Sequence, residues 1–211
     1  MTERLRETPQ GVFLNVPYDR PYEKLFVALV GGLVCLGREP RCALEAADAG
    51  TGRLPRILDL IAACDASIHD LSRVQISAKG RVPRFNMPFE LGVCCAVDRL
   101  HRERRHPYYV FEEKAYRLQR SLSDLGGYDP QVHGSSQVGV LRALLNCFGR
   151  HRGDPAIREM QKVVRRLGRF AVELKKEHRT RTLFEAHLFR LLVGGAGKIA
   201  AQEDVILMAR P

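Results

Sequence analysis

Short apolar segments alternate with longer segments of helical periodicity from residue 12 to residue 148, and this alternation constrains the fold most strongly. The longer segments repeat apolar residues at spacings of three and four, which is the period of an amphipathic helix. Because strands that alternate with helices pair in parallel through right-handed crossovers, the sequence predicts an α/β fold with a doubly wound, flavodoxin-like parallel sheet of five strands. The predicted strands are residues 12–16, a piece of 40–46, 66–71, 108–111 and a weak extended piece near Val132.

Helices are predicted between these strands and beyond them, toward the C-terminus. They cover residues 21–36, 54–64, 87–100, 116–125, 137–148, 157–178 and 183–192. The apolar segment 204–209 fits either a short strand or the end of a helix, and both alternatives are open. A Gly-Asp-Pro run that begins at Gly153 marks a boundary. The predicted division of the chain is an N-terminal tail 1–10, a main domain 11–152 and a small basic helical extension 153–211.

Composition sets the expected class and cellular setting. The 211 residues suffice for one such domain with a small appendage. No apolar run approaches the roughly 20 residues that span a bilayer, and the first residues contain no apolar leader segment. The six cysteines form no CxxC pair and have no zinc-ligand spacing. We therefore expect a cytoplasmic protein with no membrane partner and with reduced core cysteines; a redox switch at Cys94-Cys95 is the alternative for that pair.

Positive charge is concentrated near the C-terminus. The chain has a formal net charge of +10, and residues 150–181 carry 11 Lys/Arg against 4 Asp/Glu. The favoured interpretation of this segment is the solvated face of an amphipathic helix that packs on the main domain. Binding of nucleic acid is an alternative, although Phe170 is the only aromatic residue in the run. A protein partner or self-association is a further alternative.

A single carboxylate, Glu90, lies at the start of an otherwise apolar helix. Between Met87 and Val97 it is the only charged side chain. Asn86 is a good N-cap and Pro88 suits the first turn, so Glu90 falls where the helix dipole favours negative charge. Burial of an unpaired carboxylate costs several kcal/mol. Glu90 is therefore either a reactive or ligand-binding group at the floor of a pocket, or a structural carboxylate that pairs with an arginine or with backbone donors.

Other polar residues follow the predicted strands at their carboxyl ends, which is where open α/β sheets bind ligands. Several carboxylates at this edge suit a ligand rich in hydroxyl groups, and a carboxylate can stabilise an oxocarbenium-like centre during cleavage of a glycosidic bond. Each residue also has a structural interpretation: Asp70 as a turn cap, Asp48 as turn chemistry and Tyr18 as a cover for the sheet end. His69 is predicted to be a core histidine. The residues at this edge are Asn15, Tyr18, Asp19, Arg20, Glu45, Asp48, Asp70 and Ser72.

Three strings carry a resemblance to a known family: FLNVPYD from Phe13, SIHDLS from Ser67 and FNMPFELG from Phe85. Together they resemble a group of bacterial proteins related to TIR domains and to nucleoside 2-deoxyribosyltransferases, many of them described as nucleotide-binding. The resemblance covers roughly residues 11–150, and the third string is its most specific part. It implies a TIR-like nucleotide-binding domain.

The resemblance also implies a chemistry. In the deoxyribosyltransferases a glutamate in a Phe-Glu-Leu-Gly context attacks the anomeric carbon, and in enzymatic TIR domains a helical glutamate is needed to cleave NAD. Both correspond to Glu90, with Asp70 as the carboxylate that positions the ribose. Phe13, Asn15 and Tyr18 are implied to line the pocket.

The expected activity is accordingly that of an NAD glycohydrolase or a deoxyribosyltransferase-like N-glycosidase, with NAD or a nucleotide as substrate and with neither a cofactor nor a metal. Arg20 or Arg41 is expected to meet phosphate. The family further implies a homo-oligomer, because TIR pockets are often completed by a neighbouring chain. The alternative function is a non-catalytic module that senses nucleotides or serves as an adaptor. The remaining expected ligand contacts are Asp19, Asp48, Ser72 and Asn86.

Overall fold

The computed structural model of the protein describes residues 10–45, 52–74, 84–100, 105–122, 129–149 and 153–205. Its centre is a five-stranded sheet in the order β2-β1-β3-β4-β5, in which every neighbouring pair is parallel. The prediction of a doubly wound, flavodoxin-like α/β fold is therefore confirmed. The strands are β1 (Gln10–Asn15), β2 (Arg38–Cys42), β3 (Ala66–Asp70), β4 (Tyr108–Glu112) and β5 (Gln131–Val132).

Helices follow the strands as the periodicity predicts, with differences at some of their ends. The helices are α1 (Glu23–Cys35), α2 (Arg53–Ala63), α3 (Asn86–Leu100), α4 (Arg117–Ser121), α5 (Gln137–Phe148), α6 (Ile157–Glu177) and α7 (Ala186–Gln202). The last helix continues ten residues beyond its predicted end at Leu192, through a glycine-rich stretch. Gly195 has a packing reason there, since a Cβ at this position would lie 2.3 Å from the ring of Phe170. Residues 206–209 of the undecided terminal segment lie outside the described residues.

The second strand was predicted as a short piece within 40–46, and the observed β2 begins two residues before this segment, at Arg38, and ends at Cys42, where a side chain closes the following turn. Glu45 accepts a hydrogen bond of 2.7 Å from the backbone N–H of Cys42, and its other oxygen pairs with Arg41 at 2.7 Å. The backbone N–H of Glu45 in turn donates to the Cys42 carbonyl. Residues 40–42 are thus the end of the strand, and residues 43–45 form a turn.

The sheet has a helix layer on each face, and strand alternation divides the residues of β1 between them. Val12 and Leu14 belong to the larger core, which includes apolar residues of α1, α5, α6 and α7. Phe13 points to the other face and packs with Ile57 and other apolar residues of α2 and α3. Nearly all of α1 is buried, as its sequence without charged residues from Leu25 to Cys35 requires. None of the helices among the described residues is long and apolar enough to cross a bilayer.

The C-terminal helices share the core of the sheet. Apolar residues of α6 recur at helical spacing on its buried side, from Met160 to Leu174, and pack against α1. Gly31 permits this approach, since a Cβ there would lie 3.1 Å from Val164. An ion pair of 2.6 Å between Lys175 and the buried Glu23 adds a polar link. The opposite side of α6 is exposed and basic, with Arg158, Lys162, Arg165, Arg169 and Lys176.

Candidate functional site

A cleft of about 310 Å³ opens at the carboxyl edge of the sheet, between the end of β1 and the starts of α2 and α3. The chain leaves β1 for β2 on one side and returns to β3 on the other, so this is the switch point where doubly wound sheets bind ligands. Four residues predicted from the sequence meet there: Asn15, Tyr18, Asn86 and Glu90. The whole lining consists of residues 15–18, Arg53, Arg84, Asn86, Met87 and Glu90.

Glu90 reaches the cleft from the second turn of α3. The helix begins at Asn86, and the backbone N–H of Phe89 donates to the Phe85 carbonyl, so Pro88 falls in the first turn as predicted. The Glu90 side chain is only 4% exposed, and its Oε1 lies 3.2 Å from Nη2 of Arg53. It lines the cleft and also pairs with an arginine, so the two interpretations posed for it are compatible.

The environment of Glu90 favours its protonated form more than water does. Burial raises the pKa of its carboxyl above the usual value, while the charge of Arg53 and hydrogen bonds from Arg53 and Asn86 oppose this shift only in part. Arg53 is 52% exposed, so water screens its attraction for the carboxylate. The result is a carboxylate with a raised pKa at the wall of a ligand-sized cleft, an arrangement that is frequent at reactive sites.

Asn15 fixes the end of β1 to the start of α3. Its Nδ2 donates to the Met87 carbonyl at 3.0 Å and to Nδ1 of His69 at 3.0 Å. Because Nδ1 of His69 accepts, the ring proton of this fully buried histidine is assigned to Nε2, which has no hydrogen-bond partner among the described residues. Burial, with a smaller contribution from His106, lowers the pKa of His69 to about 3, so the ring is neutral. His69 is thus a core histidine, as predicted.

Tyr18 forms a wall of the cleft and is held by the C-terminal part of the chain. Its ring is half-buried and lies 5.4 Å from the ring of Phe184, which precedes α7. Burial raises the pKa of Tyr18 well above the usual value, and interactions with Cys42 and with the charge of Glu90 add to the shift. Tyr18 therefore offers a neutral hydroxyl and an aromatic ring to a ligand.

Asp70 does not line the cleft. It is fully buried, its Oδ1 accepts a hydrogen bond of 2.9 Å from the Ser72 N–H, and its Oδ2 accepts from the Tyr22 hydroxyl. Nε2 of His133, which follows β5, lies 3.1 Å from the same Oδ2. Burial alone would raise the pKa of Asp70, but hydrogen bonds and charge from His133, with smaller contributions from Ser72 and Tyr22, lower it below the usual value. The structure thus separates the two predicted catalytic carboxylates, and Asp70 ties the ends of β3 and β5 together.

Three further residues expected to contact the ligand lie away from the cleft wall. Phe13 lies two residues before the end of β1, so its side chain packs under α2 and α3, edge-on to His69. Ser72 is buried beside Asp70, and Arg20 is exposed outside the lining. Asp48 lies outside the described residues.

Two arginines of the cleft, Arg53 and Arg84, were not among the residues singled out in the sequence. Each has a position in the sequence that could have indicated a place near the cleft: Arg53 is the first residue of α2 and follows a glycine, and Arg84 directly precedes the FNMPFELG string that contains Glu90. Arg41, expected to meet phosphate, instead pairs with Glu45. Asp19, also predicted to contact the ligand, is likewise absent from the cleft lining, and it accepts hydrogen bonds from Arg73 and Arg84.

No protein-family model, curated protein or solved structure matches the chain.

All six cysteines are free thiols, four of them buried, and Cys94 and Cys95 are not joined. Within the described ranges, no cluster of three or more His, Cys, Asp or Glu side chains could hold a metal ion. The polar groups that line the cleft are one carboxylate, two guanidinium groups, two carboxamides and one phenol.

Proposed function

We propose that this chain is a TIR-like nucleotide-binding protein that cleaves the base–ribose bond of NAD or of a related nucleotide. The observation that carries the proposal is Glu90, a buried carboxylate of raised pKa that lines a cleft at the switch point of a doubly wound sheet. Carboxylates of this kind serve reactions in which positive charge develops at a sugar carbon. The proposed setting is the cytoplasm.

In the proposed reaction the bond between C1′ and the base nitrogen breaks, and the base leaves with the bonding electron pair. The oxocarbenium ion left at C1′ is stabilised by the Glu90 carboxylate, or is trapped as an ester with it. Water then adds its hydroxyl to C1′, and where the ester has formed the C1′–O bond breaks and the Glu90 carboxylate is freed. The proton of the water is released to solvent when the base is neutral nicotinamide, and it is taken up by the base when the base leaves a neutral nucleoside as an anion. Glu90 has to be ionised for either step, and the nearby Arg53 guanidinium favours that form.

The size and chemistry of the cleft support a ligand of nucleoside size. A volume of about 310 Å³ lies at the lower end of the range for small-molecule sites. It suits a base and its ribose, with the remainder of a larger nucleotide extending past the rim. The ring of Tyr18 offers a surface for the base, and the carboxamides of Asn15 and Asn86 offer hydrogen bonds to ribose hydroxyls.

Base release measured by chromatography tests the proposal. Purified protein, both dilute and concentrated, is incubated with NAD and with a panel of deoxynucleosides. We expect release from at least one of them, at a rate per chain that increases with protein concentration if self-association completes the site. Glu90→Gln should abolish release. Glu177→Gln, at an exposed position at the end of α6, is the matched control and should leave release unchanged.

A non-catalytic nucleotide-sensing or adaptor module is the second candidate. The ion pair between Glu90 and Arg53 favours it, because a carboxylate that already has a cationic partner can serve to hold α2 against α3. This candidate predicts nucleotide binding without base release at any protein concentration. Glu90→Gln would then change affinity or stability and have no turnover to remove.

A further inference from the structure

A second charged cluster lies at the edge of the cleft and has no part in the chemistry at Glu90. Two guanidinium groups converge on one carboxylate oxygen: Nε of Arg73 and Nη1 of Arg84 each lie 2.8 Å from Oδ2 of Asp19. We refer to these three residues as the Arg73–Asp19–Arg84 cluster. It carries one negative and two positive charges, so it is positive overall.

The cluster is held by hydrogen bonds to backbone groups on one side and is exposed to solvent on the other. Oδ1 of Asp19 accepts a hydrogen bond from the backbone N–H of Tyr22, and the backbone N–H of Arg84 donates to the Val74 carbonyl. Asp19 is 15% exposed, whereas Arg73 and Arg84 are 41% and 38% exposed. Besides Asp19, neither guanidinium has a hydrogen-bond partner among the described residues. Among the described residues, the remaining N–H groups of both arginines have no acceptor, and their exposure makes them accessible to a ligand.

Two guanidinium groups on the same carboxylate oxygen repel each other, and one carboxylate neutralises only one of them. An added anion with several acceptor oxygens offsets the remaining charge and accepts from both groups. Phosphate fits this requirement best, because guanidinium groups donate to its oxygens in a bidentate manner. Since Arg84 also lines the cleft that contains Glu90, a bound phosphate would lie next to a nucleoside in that cleft.

We infer that the Arg73–Asp19–Arg84 cluster is a phosphate-binding site, and that the substrate of this cleft carries a 5′-phosphate or a diphosphate. Asp19 is then a positioning residue that holds the two arginines, and it does not itself contact the ligand. This inference rests on the proposed function for the identity of the nucleoside part. The phosphate site itself stands on the geometry of the three side chains.

Isothermal titration calorimetry tests the site without any need for turnover. Inorganic phosphate is titrated into the wild-type protein, and AMP and adenosine are titrated into the Glu90→Gln variant so that neither is consumed. We expect AMP to bind at least about tenfold more tightly than adenosine, the ratio expected for one charge-assisted hydrogen bond. Arg84→Met and Arg73→Met should each bring the affinity of AMP close to that of adenosine. Arg84→Lys should keep only part of the preference for AMP, because an ammonium group lacks the planar pair of N–H donors of a guanidinium.

Arg105→Met is the matched control. Arg105 is 86% exposed and precedes β4, at the opposite edge of the sheet, so its loss should leave the AMP-to-adenosine ratio unchanged. Equal affinities for AMP and adenosine, no heat with inorganic phosphate, or an equal loss of the ratio in Arg105→Met would each overturn the inference. Phosphate binding without base release would contradict the proposed N-glycosidase and leave the phosphate site in place. Base release from nucleosides without phosphate binding would contradict the phosphate site and leave the proposed N-glycosidase in place.

Discussion

Gly139→Ala is expected to destabilise the protein although it replaces a glycine with the best helix former. Gly139 is in the first turn of α5, and its backbone N–H donates to the capping hydroxyl of Ser136. A Cβ at this position would lie 2.0 Å from the carbonyl oxygen of His133 and 2.6 Å from its carbonyl carbon. These are backbone atoms, so the whole turn that carries His133 has to move. The contact of His133 with Asp70 would be strained by this movement.

The magnitude follows from two opposing effects. Overpacking in a well-packed region costs about 1–3 kcal/mol or more, and the higher helix propensity of alanine returns at most about 1 kcal/mol. Because the clash is with backbone, the cost is expected at the upper end, about 3 kcal/mol, and the net loss of about 2 kcal/mol corresponds to a fall in Tm of about 4–8 °C for a chain of this size. Thermal unfolding followed by circular dichroism measures it.

Gly168→Ala is the matched control for this prediction. Gly168 lies in the middle of α6, and a Cβ there would meet no other atom within 4 Å. Helix propensity then acts alone and should stabilise the protein by about 0.5–1 kcal/mol, which raises Tm. Propensity treats the two glycines alike, so only the packing seen in the structure predicts opposite signs. A Tm of Gly139→Ala equal to or above that of the wild type would refute the reasoning.

Three further predictions concern the buried carboxylates. Burial raises the pKa of Glu90, so the stability that this carboxyl contributes is present below its unfolded pKa and is lost as the pH rises through its folded pKa. At pH 7 the Tm of Glu90→Gln should therefore be no lower than that of the wild type, and a fall of several degrees would contradict this. Base release should decline as the pH falls through the folded pKa of Glu90, above the ordinary value of 4.5, and a flat pH–rate profile down to that value would contradict it. The pKa of Asp70 is lowered, so the stability that this carboxylate contributes is present above its unfolded pKa near 3.8 and is lost as the pH falls through its folded pKa. Asp70→Ala leaves His133 without its buried partner and should lower the free energy of unfolding in urea at pH 7 by about 3–5 kcal/mol. A loss below about 1 kcal/mol would refute the assigned network.

Much of the fold could be predicted because its signals are local. Apolar alternation and helical spacing identified all five strands in order, and α5 was predicted with its observed bounds. The start of β2 was missed because its first residues, Arg38 and Glu39, are polar, whereas its end at Cys42 lies within the predicted segment. The length of α7 was missed because three glycines follow Leu192 and glycine has a low helix propensity, whereas in the structure Gly195 permits close packing against Phe170.

The site was only partly predictable, for a different physical reason. Asn15 and Glu90 could be assigned to the cleft from the sequence, because a residue at the end of β1 or near the start of α3 lies at the carboxyl edge of the sheet. The partner of a buried carboxylate does not, because it comes from elsewhere in the chain. Asp70 meets His133, which is 63 positions later, and Glu90 meets Arg53, which is 37 positions earlier. Such pairs decide whether a carboxylate at the sheet edge faces the cleft or the core.

The assignment of Glu90 is tested by the rate of base release, measured on the same substrate for the wild type, Glu90→Gln and Glu177→Gln. We expect a fall of at least about 100-fold in Glu90→Gln, the size expected when a preorganised charge at a developing cation is removed. We also expect wild-type release in Glu177→Gln and retained nucleotide binding in both variants. Release by Glu90→Gln at the wild-type rate would contradict the assignment of Glu90. Nucleotide binding with no release by the wild type at any concentration would favour the adaptor.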